Sequence, residues 1–187
     1  MQRGLLVGVL LLAAVSVGDA EKLPALLTTA SVTGLSSVPA RPRTVLWPKS
    51  VYAYSILVPP GWRTQEAADG AAFMVYPPDK SCAIVVSWIE FPEVSGRTTD
   101  SVAEKAAAGA KIEHFGPAGT GTISGIKGKA YSGSLQADNS TWAIKSTYVQ
   151  LRPTVWAIEA VKWRQTATTA QRAACTAASE GVTLNYH

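Results

Sequence analysis

The sequence is short of charge, of histidine and of sulfur. Charged residues make up 16% of its 187 residues, against about a quarter in an ordinary globular chain. Two histidines, His114 and His187, and two cysteines, Cys82 and Cys175, are present. That is a poor ligand supply for a zinc site, which takes about four. A catalytic triad would have to use one of those histidines. No G-x-S-x-G elbow supports one, because Gly121-Thr-Ile-Ser124-Gly125 has the wrong spacing. His114 reads instead as a surface residue beside a strand start. The glycines of 116–128 follow no phosphate-binding pattern, and no Gly-Lys-Ser/Thr occurs. The net charge of +4 comes from scattered pairs such as Arg41/Arg43, Lys127/Lys129 and Lys162/Arg164. A nucleic-acid binder shows a denser stripe. We expect no metal, no cofactor, no nucleic acid and no enzymatic activity.

Long apolar runs are also scarce. One stands at the N-terminus, from Leu5 to Val17, behind Arg3 and ahead of the small residues Gly18 and Ala20. This is the pattern of a secretory signal peptide over 1–20. The run is shorter than the ~20 residues that span a bilayer, although an uncleaved anchor is the alternative. No cysteine sits at the cleavage point to carry a lipid. The implied protein is exported, periplasmic or secreted, and does not span the membrane. In such a compartment two cysteines suggest one Cys82–Cys175 disulfide. The alternative is a pair of buried free thiols.

Residues 21–48 mix Pro, Ser, Thr and Ala without a period. They read as an extended or partly disordered leader whose end Trp47 pins. A single domain over 49–187 follows. Strands are expected at 51–58, 71–76 and 81–91, then near 120–125 and 127–135 with bends at Gly125 and Gly128. Two more, 141–151 and 154–163, form a hairpin closed near Arg152-Pro153. A helix is expected up to about Lys111, with a capping box from Ser101 to Glu104. A second is expected over about 167–180, boxed by Thr168 and Gln171 and stopped by Gly181. VTLNY at the end adds a short edge strand. The hairpin strands are apolar on both faces and so need cover on both faces. The expected fold is α+β, an antiparallel sheet of about six strands with helices on both faces.

The stretch Tyr54-Ser-Ile-Leu-Val-Pro-Pro-Gly-Trp62 ends a strand abruptly and then places a tryptophan. Followed by Phe73-Met-Val-Tyr-Pro-Pro-Asp79, it resembles the opening of PsbP-like and DcrB-like proteins of the Mog/PsbP fold. The resemblance covers about residues 48–182 and implies an α/β/α sandwich with an accessory or binding role. Prolines stop the ladder, Gly61 reverses the chain, and Trp62 folds back to shield the core edge. A ligand-stacking role is the alternative for that indole, and Arg63 beside it is expected in solvent. Glu159, between apolar neighbours, reads as a cross-strand ion pair with Lys145 or Lys162, or as a perturbed acid in a cleft. Trp47, Trp62, Arg63 and Glu159 are the candidate binding surface. The implied function is a non-enzymatic accessory protein of the bacterial envelope that engages a protein partner. The alternatives are a carrier of lipids or small molecules, using a cleft lined by Trp88, Trp142 or Trp156, and a hydrolase with a hidden site.

Overall fold

A computed structural model describes residues 41–49, 52–67, 72–91, 96–137 and 139–186. The expected signal peptide and most of the expected leader lie outside them. The elements run β1 (Arg43–Lys49), β2 (Tyr52–Val58), β3 (Arg63–Glu66), β4 (Ala72–Tyr76), β5 (Cys82–Glu90), α1 (Thr99–Gly109), β6 (Glu113–Ile123), β7 (Ile126–Ala137), β8 (Ser140–Arg152), β9 (Val155–Arg164), α2 (Thr169–Ser179) and β10 (Val182–Tyr186). They build two antiparallel sheets, one of seven strands in the order β3-β4-β5-β9-β8-β7-β6 and one of three in the order β1-β2-β10. The α+β class and the antiparallel pairing are as expected. The single sheet of about six strands is not.

The difference begins in the leader. Its end is a strand, because Arg43-Thr-Val-Leu-Trp-Pro-Lys49 alternates and pairs residue for residue with β2. Val45 packs on the core and Trp47 is buried, while Thr44 and Leu46 face out. β2 then takes no place in the large sheet. Pro59-Pro60-Gly61-Trp62 forms a tight turn, with the Trp62 N–H donating to the Pro59 carbonyl at 3.2 Å and Gly61 at φ 78°. Proline second and a left-handed glycine third suit a type II turn. It carries the chain from the small sheet to β3 of the large one.

Side chains of β5 alternate between two cores. Ile84 and Val86 point at Tyr54, Ile56 and Leu184 of the small sheet. Ala83 and Val85 join Ala107, Ala110 and Ile144, and Ile89 joins Val102, Ala103, Ala106, Tyr148 and Trp156 around α1. Both faces of the central strands are therefore covered, as their composition demands. Much of one cover is a sheet, where helices were expected to supply both.

The helices follow their caps. Thr98 is extended and caps α1, with Ser101 closing the box. The box thus lies one turn earlier than the Ser101–Glu104 pair expected. Thr168 and Gln171 cap α2 as expected. Asp100 on α1 receives Lys129 at 2.6 Å and the Tyr131 hydroxyl, which ties the helix to β7. Cys82 of β5 is bonded to Cys175 of α2, with the Cα atoms 6.5 Å apart and both residues buried.

Candidate functional site

The four residues read as a binding surface do not share one. Trp47 is 3% exposed. Its indole donates to Glu66 Oε1 at 2.9 Å, and its ring stacks parallel to Trp88 with centroids 5.5 Å apart. Tyr54 and Phe73 stack on it as well, at 6.2 and 5.9 Å. It is a layer between two sheets rather than a surface, because β1 turns it inward. Trp62 is half-buried against the same cluster, which matches shielding of the core edge. Arg63 is exposed at the start of β3, opposite Tyr76.

Glu159 lies elsewhere, on β9 between Val86 of β5 and Thr147 of β8. Its expected ion pair is absent among the described residues. Lys162 sits at the opposite parity of β9 and reaches over the Trp142 ring on the other face, at 5.1 Å. Lys145 shares the face of Glu159, one register step along, and is exposed. With no countercharge, burial pushes the Glu159 carboxyl up to about 8. The reading as a perturbed acid in a cleft is the one this geometry fits.

The cleft has a volume of about 320 Å³. One wall is the β6–β7 turn, with Thr122, Ser124 and Gly125. Ser124 and Gly125 both have left-handed φ, 54° and 79°, as a two-residue hairpin turn requires. Behind the turn the hairpin bends tightly onto β8, where a Cβ at Gly121 would press on Thr147 and one at Gly128 on the Tyr148 carbonyl. That closeness seats Ile123 in the core. The facing wall is the end of α2, with Ser179 and Glu180, and the start of β10, with Val182 and Thr183. Gly181 lets this corner sit against Leu57, and its carbonyl accepts the Leu57 N–H at 3.0 Å. Below, the Tyr54 hydroxyl lies 3.0 Å from the carbonyls of Ser87 and Ile158, and burial first, then the charge of Glu159, holds it well above the usual phenol range.

No hydroxyl of the cleft is hydrogen-bonded to Glu159 among the described residues, and the Ser179 hydroxyl donates to Thr176 O at 2.7 Å. His114 stands at the far end of β6 from the turn, exposed and with φ 51°; ten strand residues correspond to about 30 Å. The described residues contain no group of three metal-ligating side chains and no helix long and apolar enough to cross a membrane.

No protein-family model matches the chain, and no curated protein does. Solved structures are similar to it at low identity. In fold, the chain is similar to a PsbP protein. CyanoP, the cyanobacterial PsbP of Synechocystis sp. PCC 6803, is 7% identical over 84% of this chain and 100% of that one, with a TM-score of 0.49. LpqN of Mycobacterium tuberculosis, a protein involved in cell envelope biogenesis, is 15% identical over 77% and 91%, with a TM-score of 0.48. PA94 of Pseudomonas aeruginosa is 15% identical over 73% and 91%, with a TM-score of 0.41. The likeness concerns the fold alone.

Sequence reasoning found Glu159 and missed its surroundings. The bend at Gly125 and the stop at Gly181 are each visible in the sequence. Nothing along the chain says that these two corners meet across one carboxylate.

Proposed function

We propose that this protein is a non-enzymatic accessory or binding protein that works outside the cytoplasm, in the periplasm or secreted, and engages a protein partner. A signal peptide over 1–20 and the Cys82–Cys175 bond suit that compartment, since such bonds persist where thiols are not kept reduced. In this reading the fold is an α/β/α-type sandwich, with α1 against one face of the large sheet and α2 tied to the other. The observation that carries the partner is the outward face of the small sheet. Leu46 is 60% exposed and Leu57 48%. The positions around them, Thr44, Ser55 and Thr183, are uncharged. A sheet face that bears two diagonal exposed leucines among uncharged neighbours suits burial against another protein.

The carrier reading loses much of the lining it was built on, because Trp156 is fully buried, Trp142 is 4% exposed, and Trp88 is half-buried in the stack with Trp47 and Tyr54. Trp142 lines a pocket of about 30 Å³ with Met74, Tyr76, Lys162 and Arg164, which is too small for a lipid.

The test is photo-crosslinking from position 46 in envelope extract, compared with a Leu46→Asp/Leu57→Asp variant. We expect a discrete partner band that the variant loses while keeping its melting temperature. Capture of the same partner by the variant would remove the face from the function. A crosslink to a second copy, or to residues 21–40, would assign the face to this chain itself.

A further inference from the structure

We infer that the cleft beside Glu159 is a binding site for a small organic cation, an alkylammonium or guanidinium group. This does not depend on the protein-partner reading. The charged residues lining the cleft are Glu159 and Glu180, with no lysine or arginine among them. The C-terminal end of α2 opens onto it, and the last turn of that helix has no basic residue. A helix C-terminus carries partial negative charge and attracts cations. Thr122 and Ser124 add oxygen acceptors for N–H groups, and Val182 offers an apolar contact for methylenes. A volume of about 320 Å³ is ample for an ammonium on a short alkyl chain.

The group that governs the cleft is the half-buried Glu159 carboxylate. Tyr54 of β2 faces it from below and Glu180 from α2. Lys145 of β8 and Lys127 of the β6–β7 hairpin are the nearest cations along the strands, both exposed, and neither is ion-paired to Glu159 among the described residues. Its carboxyl, pushed up to about 8 by burial, favours holding a proton at neutral pH. A bound cation takes the place of that proton. Binding then releases about one proton near pH 7, and the ionised fraction of such a group rises about tenfold from pH 7 to pH 9.

The experiment is calorimetry on the purified protein with putrescine, agmatine, the neutral isostere 1,4-butanediol, and a blocked Ala-Lys-Ala peptide. We expect saturable binding of putrescine and agmatine at pH 9 and about tenfold weaker binding at pH 7, with heats that depend on the buffer's own ionisation. Glu159→Gln should cost at least tenfold and abolish the pH dependence. Glu180→Gln, at an exposed position, should cost about two- to threefold through a more screened charge. Tighter binding of the peptide than of putrescine supports the site and makes its source a protein side chain; the reverse order supports it and makes the source a free amine. No saturation by any cation at pH 9, unchanged binding in a folded Glu159→Gln, or butanediol binding as well as putrescine would each overturn it.

Discussion

The two helices are the same length, eleven residues, and both begin with a threonine box, yet they are held to the protein by different means. α1 buries Val102, Ala103, Ala106 and Ala107. Its alanines bring little area themselves, but the strands below present Tyr131, Tyr148 and Trp156, whose rings fill the space that small side chains leave. α2 buries only Cys175 and Ala178. Two small residues cannot hold eleven in place against the loss of backbone freedom. The bond to Cys82 does so, closing a separation of 93 residues. In the chain-entropy account a loop of that size stabilises by about 4–5 kcal/mol. A helix with little apolar surface can thus be packed under large rings or be tied covalently, and this molecule uses both solutions.

The largest expected effect breaks the tie. Cys82→Ala/Cys175→Ala should lose about 4 kcal/mol of stability in denaturant unfolding. Hydrogen exchange should quicken over 169–179 well before 99–109. Equal loss of protection in both helices would show that α2 is packed as firmly as α1, and the contrast would fall.

Overpacking tests the other side. Ala103 has no exposed surface, so Ala103→Leu should cost about 1–3 kcal/mol. Ala174, on the solvent side of α2, should accept leucine within about 0.5 kcal/mol. The shift in denaturant midpoint measures both.

The smallest effect concerns the corner where α2 ends. Glu159 titrates near 8 when folded, above the ordinary 4.5. Between those values the folded protein holds a proton that the unfolded chain releases, so stability falls as pH rises from about 4.5 to about 8 and then levels. Glu159→Gln should remove that slope. It should gain on the order of 1–2 kcal/mol at pH 9, allowing for solvent reaching into the cleft, and nothing at pH 4. Thermal melts across that range decide it. A variant that melts in parallel with the wild type at every pH would mean that the carboxylate is as well solvated as any on the surface.

The local elements were legible because their causes are local. Pro59 and Pro60 remove two ladder donors, Gly61 permits the left-handed step, and Thr168 with Gln171 closes a box, all within a few residues. The hairpin of β8 and β9 and the glycine-bent hairpin of β6 and β7 follow from alternation and turn residues of the same short range. The small sheet was not legible. Its strands come from the leader, the start of the domain and the last residues of the described chain, and β10 joins β2 across more than a hundred residues. Each of those segments reads as a strand or an extended piece, and none carries a mark of its neighbour. Trp47 shows the consequence. As a residue in a leader it reads as a surface aromatic; once β1 pairs with β2 it becomes the middle of a stack with Trp88, Tyr54 and Phe73.

By itself the amino-acid order marked most of the strands, both helices and several of their stops, together with the demand that the central strands be covered on both faces. Those follow from φ, from missing amide protons, from side-chain branching and from period, which are properties of neighbours along a chain. The tertiary structure alone decided that one cover is largely a second sheet, that Lys162 turns away from Glu159, and that a hairpin tip and a helix end flank a carboxylate with no ion pair among the described residues. Charge, burial and access depend on distance through space, and residues 125, 159 and 181 share a corner only after the chain has closed on itself.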